Sequence, residues 1–392
     1  MKYFVVPTLC ALLGLTACVY EPEQYLDDSS NKGNTSVSSN IGTVYAIDGG
    51  KQICNPSISQ DTVNFPGSML WLNFSGTLNV VPLDSGYKTK GAADHDRLTI
   101  TNKDNEVLWY LMVDESAKEC EFQDPEWSTH PDYLVALRGY DLNGKASCEN
   151  MDYGIFAVRT SDKKKFWFVE KDLWEWATPH LWVDPSADVD TASSDTTVEG
   201  FFGTNNVRLV YVDSKNEIVF ADFAKGGLKK KITLKKTEEM KDWLVDSPLI
   251  SPDGNFIVFN ILEDGWTSYI QKLSENSVPV KIERTPDMMG EAMQPHWFKY
   301  GERLFVSWTE FPEGTHTYLN KNDLSLPSVQ DGSAGRTAMR EISLDADAPA
   351  DLSFRWIGSV TQIAPIPMIG GRSMDGKFLA TGANNGYMLE LP

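Results

Sequence analysis

Short apolar runs alternate with polar turns along most of the chain. One stretch shows the pattern most clearly: Pro248, the apolar Ile250, Ser251, an Asp253-Gly254 pair, and then the apolar run 256–259. An Asp-Gly pair tolerates positive φ and joins two antiparallel strands. The segment therefore predicts a β-strand, a tight turn and a second β-strand.

The same skeleton recurs, which indicates an internal repeat. Six copies of this head segment start at residues 56, 125, 179, 248, 295 and 370. Successive starts are 69, 54, 69, 47 and 75 residues apart. A propeller blade of four strands takes ~40–50 residues. The shorter spacings fit one blade each, and we expect the longer ones to carry insertions.

Further strand-like runs follow three of the heads, as four-stranded blades require. These third and fourth runs are 153–159 and 165–169, 217–223 and 230–234, and 268–273 and 280–284. Lysine runs at 163–165, 229–231 and 235–236 lie beside predicted fourth strands. Lysine on an outer strand discourages edge-to-edge pairing, so we interpret these runs as edge protection rather than as a basic binding patch.

The head at 248–259 resembles the TolB-type (WD-like) β-propeller repeat. The resemblance covers roughly residues 42–392 and implies an all-β fold, a six-bladed propeller of four-stranded antiparallel blades with the head strand innermost. Two copies depart from the pattern: the one at 56 lacks the glycine, and Phe298 and Tyr300 replace Ser and Asp in another. Residues 43–47 and 51–53 precede the first head, and we expect them to complete the last blade and remove its open edge.

The N-terminus is typical of an export signal. Met1 and Lys2 precede an apolar run over 3–16, which at ~14 residues is too short for a membrane span of ~20. Residues 15–18 resemble the lipobox of bacterial lipoproteins, which implies a lipid anchor on Cys18. In many Gram-negative lipoproteins an aspartate after the lipidated cysteine retains the protein in the inner membrane. Residue 19 is valine, so we expect this protein to be located at the outer membrane of the bacterial cell envelope, on its periplasmic or surface side. An ordinary signal peptide with an incidental cysteine is the alternative.

A polar stretch separates the signal from the repeats. Residues 27–40 are rich in Ser, Asn and Gly and bury little apolar surface, which is typical of a flexible linker. We therefore divide the chain into a lipoprotein signal peptide at 1–17, a lipidated N-terminus and flexible tether at 18–41, and the propeller at 42–392.

Composition narrows the function. The 392 residues carry a net charge of −20, which disfavours a nucleic-acid partner, and 41% are hydrophobic, which excludes intrinsic disorder. The P-loop, Gly-x-Ser-x-Gly and His-Glu-x-x-His motifs are absent. We expect a monomeric binding or scaffold module for an envelope protein or glycan, with no cofactor besides the lipid, rather than an enzyme.

Two histidines suggest the alternative function. His180 and His296 each follow a head proline, so two inner strands would carry them to the central channel, with Gln294 close by. In oligogalacturonate lyases, which have TolB-like propellers, histidine and glutamine hold a metal there. That resemblance implies a metal-dependent polysaccharide lyase or hydrolase with a divalent metal at these residues. Solvated or hydrogen-bonded channel histidines are the simpler interpretation, and the negative charge would repel anionic polyuronates.

Tryptophans and cysteines supply further candidates. Trp174 and Trp176 share one face of an extended segment, where exposed indoles would stack on a sugar ring or fill a partner's pocket. Trp127 and Trp297 occupy the same apolar repeat position, which favours packing between blades. Cys120 and Cys148 flank a head and are the favoured disulfide, with pairing to Cys54 or no bridge left open.

Two segments are typical of insertions. Residues 184–197 are rich in Asp, Ser and Thr, and the alternative of a calcium site at Asp188, Asp190 and Asp195 fails the EF-hand spacing. Residues 320–351 are long and polar, and we expect a surface excursion there.

Overall fold

A computed structural model describes most of the repeat region. The described residues are 36–39, 42–51, 53–73, 78–87, 95–141, 148, 150–189, 196–232, 234, 243–262, 265–313, 335–345, 354–364, 368, 370–381 and 386–392. Within them, 24 strands form six four-stranded antiparallel sheets. The sheets contact one another in chain order around a ring. The chain is a six-bladed β-propeller of four-stranded blades, as the sequence predicts.

Each of blades 1 to 5 is one continuous stretch of chain that runs from the inner to the outer strand. The strands of blades 1 and 2 are β3 (Ile53–Ile58), β4 (Met69–Asn73), β5 (Arg97–Thr101), β6 (Val107–Met112), β7 (Glu119–Trp127), β8 (Tyr133–Asp141), β9 (Met151–Arg159) and β10 (Lys165–Leu173). Those of blades 3 to 5 are β11 (His180–Val183), β12 (Val207–Val212), β13 (Ile218–Asp222), β14 (Leu228–Ile232), β15 (Leu244–Ile250), β16 (Phe256–Leu262), β17 (Trp266–Lys272), β18 (Val280–Lys281), β19 (Ala292–Tyr300), β20 (Arg303–Glu310), β21 (Arg336–Leu344) and β22 (Phe354–Ala364).

The two chain ends close the ring in blade 6. Its sheet pairs β23 (Phe378–Thr381) and β24 (Tyr387–Glu390) with two N-terminal strands, β2 (Gly42–Ala46) and the outermost β1 (Ser36–Ser39). The predicted closure by 43–47 is confirmed for 43–46. Ile53 instead begins the inner strand of blade 1, and β1 lies within the stretch assigned to the tether, so the sheet starts at Ser36.

The predicted head turns have a local hydrogen-bond basis. In blade 4 the hydroxyl of Ser251 accepts a bond from the Phe256 N–H at 2.9 Å, and Gly254 has φ of 76°. In blade 6 the hydroxyl of Ser373 accepts from the Phe378 N–H at 2.9 Å, and Gly376 has φ of 72°. Serine bridges the turn and glycine supplies the left-handed conformation, which explains why the pattern repeats.

The structure corrects the prediction for one insertion and adds a short helix after the other. Residues 336–344 lie within the predicted surface excursion but form β21, which pairs with β20 and β22 in blade 5. The segment is mostly polar in sequence because only a few of its apolar side chains, such as Ala338 and Ile342, lie in the core of blade 5. The helix α1 (Val198–Phe202) follows the other insertion and is capped by the Thr197 hydroxyl, which accepts from Gly200 N–H at 3.0 Å.

Tryptophans pack between blades at the predicted positions. Trp127 and Trp297 are 1% and 5% exposed, and the Trp297 indole N–H donates to the Leu249 carbonyl of the preceding blade at 2.9 Å. Cys120 and Cys148 form a disulfide with Cα atoms 5.8 Å apart, whereas Cys54 is a buried thiol outside the disulfide. The lysines at 229–231 lie on the outer strand β14, and 235–236 lie outside the described residues. No helix in the described ranges is long and apolar enough to cross a membrane.

Candidate functional site at the channel mouth

The inner strands share a strained backbone position directly before the head proline. The residue there has positive φ in five blades: Asn55, Asp124, Thr178, Ser247 and Gln294, with φ between 37° and 51°. Such values are uncommon outside glycine, and proline disfavours helical conformations in the residue before it. In four of these blades the register of the sheet shifts at this position. At these bulges the polar residues stand outside the regular hydrogen-bond ladder of the inner strands.

Hydrogen bonds join these residues from one blade to the next. The Asn55 amide donates to Asp124 Oδ1 at 2.5 Å, and the Thr178 backbone N–H donates to Asp124 Oδ2 at 3.2 Å. The Ser247 N–H in turn donates to the Thr178 hydroxyl at 3.3 Å. The chain of contacts spans blades 1 to 4 and orients Asp124 at its centre.

Carboxylates gather at this position, and we call Glu121, Asp124, Glu175 and Asp246 the acidic mouth. Burial, followed by the carboxylate of Asp246, raises the pKa of Asp124 to about 8. Burial also raises the pKa of Asp246 and, together with the charge of Glu121, that of Glu175. The charges that raise these pKa values are other carboxylates, so the mouth has a strong tendency to hold protons or attract a cation.

Aromatic side chains border the acidic mouth. Trp174 and Trp176 flank Glu175 in sequence, are half-buried, and have ring centroids 5.9 Å apart. The Trp174 indole N–H donates to the Val212 carbonyl at 3.1 Å, so this ring is held in place by blade 3. The Tyr153 hydroxyl donates to Glu121 at 2.7 Å. Trp176 therefore lies next to Glu175 in the chain and close to a tryptophan ring that blade 3 holds.

The two predicted channel histidines lie on inner strands but are neutral. Burial lowers the pKa of both His180 and His296 to about 3. The charges of Arg372 and, more weakly, His180 also lower the pKa of His296, so the two rings share the channel region. Leu249 occupies the corresponding position of the intervening blade.

Backbone contacts use one ring nitrogen of each histidine. His180 Nδ1 accepts from the Ile250 N–H at 3.0 Å, and His296 Nδ1 lies 3.0 Å from the Gln294 carbonyl. Gln294 itself is one of the bulged residues. Among the described residues, no group of three or more His, Cys, Asp and Glu side chains is placed to hold a metal ion. The metal site at His180, His296 and Gln294 therefore stays a prediction.

Ser57 and Glu126 occupy the position directly after the head proline, as the two histidines do. The Ser57 hydroxyl donates to Glu126 Oε1 across the first two blades, and burial raises the pKa of Glu126 to about 7. The Ser57 hydroxyl also accepts from the Trp127 N–H at 3.0 Å, and Ser57 is only 1% exposed. Both of its hydrogen-bonding directions are occupied, so the pair supports the interface between blades.

Some of the remaining residues predicted from the sequence lie outside the described part of the chain. Cys18, Asp190 and Asp195 lie outside the described residues, whereas Asp188 lies within them. The sequence pattern points to the two tryptophans but not to the acidic mouth. A usable signal was present, because a polar residue precedes each of the five head prolines.

Fold and site together define a class: a closed six-bladed β-propeller with an acidic, tryptophan-bordered channel mouth. No protein-family model and no curated protein matches the sequence.

Solved structures are similar at low identity. TolB from Acinetobacter baumannii is 13% identical, with a TM-score of 0.34, over 66% of this chain and 52% of TolB, so the chain spans about half of that protein. The Dos1 propeller is 11% identical, with a TM-score of 0.36, over 91% and 82% of the two chains. U3-55K is 10% identical, with a TM-score of 0.42, over 89% and 98%. At these values the fold assignment rests on the sheet topology.

Proposed function

We propose that the protein is an exported lipoprotein, anchored through Cys18 in the bacterial cell envelope, whose propeller binds another envelope protein. The lipobox-like residues 15–18 support the anchor. Residues 19–35 separate the lipidated cysteine from the first strand, β1. An anchored propeller of this kind presents its channel mouth to partners at the outer membrane, on the periplasmic or surface side.

The acidic mouth is the observation that carries the binding proposal. Burial raises the pKa values of Asp124 and Asp246, and the half-buried Trp176 follows Glu175, whose charge also raises the pKa of Asp124. A lysine or arginine side chain of a partner would pair with the carboxylates and lie against the indole. A glycan hydroxyl can also donate to a carboxylate, but only a cation gains from the negative charge that the four carboxyls carry when ionised, so the charge of the mouth favours a basic protein segment.

Binding fits the site better than catalysis. His180 is neutral and accepts a backbone bond, and Ser57 is buried with both hydrogen-bonding directions occupied. A nucleophile needs an adjacent base and access to substrate. Within the acidic mouth, Asp124 and Glu121 are instead held by hydrogen bonds from Asn55, Thr178 and Tyr153, which suits recognition.

The anchor is tested by expressing the full chain and a Cys18→Ser variant in a Gram-negative host. We expect the wild type to enter the detergent phase on phase separation and to carry acyl groups on its N-terminal peptide in mass spectrometry. The variant should carry none. Wild-type protein without acyl groups would contradict the anchor and leave the binding proposal to its own test.

The binding site is tested with a defined cationic probe. Titrating the full-length protein in detergent with an acetylated arginine hexapeptide should quench tryptophan fluorescence, and a glutamate hexapeptide should not bind. Trp176→Ala should weaken the arginine peptide about tenfold, whereas Tyr300→Ala, an exposed aromatic at the far end of β19, should not. Affinity should rise between pH 6 and pH 8, as Asp124 loses its proton.

Two outcomes would overturn the binding proposal. One is equal affinity for the arginine and glutamate peptides, because the acidic mouth would then contribute no charge selectivity. The other is unchanged affinity in Trp176→Ala together with loss in Tyr300→Ala, because the peptide would then bind at the opposite end of the propeller.

A further inference from the structure

A groove lies between the outer part of blade 3 and blade 4, away from the channel mouth. One wall is β14, the outer strand of blade 3, and the other is the turn at Leu273–Glu275 after β17. Its volume is about 280 Å³, near the lower limit of pockets that hold small ligands, ~300 Å³. The groove therefore has room for a ligand of monosaccharide size.

A buried carboxylate with one unpaired oxygen lines this groove. Asp222 is 4% exposed, and its Oδ1 atom has no hydrogen-bond partner. The other carboxylate oxygen lies 3.6 Å from Lys225 Nζ and 3.9 Å from Arg208 Nε. A buried acceptor without a donor is unfavourable, and a ligand hydroxyl or N–H would satisfy it.

The charges around the groove select against ionic ligands. Lys225, Lys230 and Lys231 line it and would repel a cation that approached Asp222. Asp222 and Glu275 also line it and would repel an anion. Lys230 and Glu275 already pair at 3.0 Å, so the rim offers both donors and acceptors. A neutral ligand with several hydroxyl groups satisfies all these groups without a net charge.

Apolar surface completes the site. Leu228 is 50% exposed on the wall, although it is a large aliphatic side chain, and Phe220 and Leu273 lie beside it. A pyranose ring has an apolar C–H face and a rim of hydroxyl groups. We propose that this groove binds a neutral saccharide ring, with a hydroxyl donating to Asp222 Oδ1 and the C–H face against Leu228.

Calorimetric titration of the full-length protein tests the proposal. The probes are the neutral hexasaccharides of maltose, cellulose, xylan and chitin type, with hexagalacturonate as the anionic comparison. We expect at least one neutral probe to bind with a Kd below ~10 mM. Asp222→Asn should weaken it about tenfold, and Leu228→Ala several-fold, because the first removes a charged acceptor and the second removes apolar contact.

Matched variants separate this site from other surfaces. Leu83→Ala removes a leucine that is 58% exposed in blade 1 and should leave saccharide affinity unchanged. Leu228→Ala is a surface change, so it remains informative if Asp222→Asn unfolds. The proposal is overturned if no neutral probe binds, if only hexagalacturonate binds, or if Leu228→Ala leaves affinity unchanged. None of these results bears on arginine-peptide binding at the mouth.

Discussion

Glu126 provides a sharp test of the channel's electrostatics. Burial raises the pKa of this carboxyl from 4.5 to about 7, although hydrogen bonds from Ser57 and from the Trp127 N–H oppose the change. In Glu126→Gln the amide oxygen can accept both of these bonds, at nearly the same side-chain volume. The variant therefore removes the ionisation and keeps the packing between blades 1 and 2.

The direction of the pH dependence of stability follows from the raised pKa of Glu126. The stability that Glu126 contributes is fully present below pH 4.5 and is lost as the pH rises through about 7, because the unfolded chain releases the proton first. The two values differ by about 2.5 pKa units, or about 3 kcal/mol at ~1.36 kcal/mol per unit. Part of that loss precedes pH 5.5, and partial exposure reduces it further. Between pH 5.5 and 8.5 the variant should therefore gain about 1–2 kcal/mol relative to the wild type.

Urea denaturation at several pH values between 5.5 and 8.5 measures this difference. Comparing variant and wild type at each pH cancels the opposite contribution of His180 and His296, whose lowered pKa values make stability fall as the pH drops from 6.5 toward 3. Glu302→Gln, at an exposed surface position, is the matched control and should give a curve parallel to the wild type. A parallel curve for Glu126→Gln as well would refute the reasoning.

Two further predictions concern stability. Replacing Cys120 and Cys148 together by alanine should lower the free energy of unfolding by about 3–4 kcal/mol in urea denaturation, because the bridge closes a loop with a sequence separation of 28. An equal loss on treating the wild type with reductant would support the disulfide. No loss from either treatment would contradict it. Gly371→Ala should lower the free energy of unfolding by about 1–3 kcal/mol in the same assay, because its Cβ would lie 2.5 Å from the Ile58 backbone nitrogen where blade 6 meets blade 1. Unchanged stability in this variant would show that the contact between the two blades is looser.

Local signals explain why the architecture was predictable. Pro248, Ser251 and the Asp253-Gly254 pair specify an inner strand and its turn within a few residues, so each head could be recognised alone. Closure by 43–46 followed from counting strands in the last repeat. By contrast, β21 was missed because its core contacts are few, and α1 because five residues give too little helical periodicity.

The site depended on contacts that sequence spacing does not encode. Asp124 and Asp246 are 122 positions apart, and only ring closure places their charges near each other. Asp222 is likewise an ordinary strand-end residue until blade 4 packs beside it. The polar residue before each head proline can be recognised in the sequence. Its positive φ cannot, because it depends on the bulge that forms when the inner strand pairs with the next strand of its blade.

Protonation of Asp124 would couple the acidic mouth to the cationic partner that we propose. With a pKa of about 8, Asp124 holds a proton at neutral pH, so the free mouth carries less negative charge than its carboxyl count suggests. A bound guanidinium would favour the ionised form and expel that proton. Partner binding should therefore release protons below pH 8, whereas a neutral saccharide between blades 3 and 4 should release none. Calorimetry in buffers of different ionisation enthalpy distinguishes the two modes, because only a proton-coupled event changes its apparent enthalpy with the buffer.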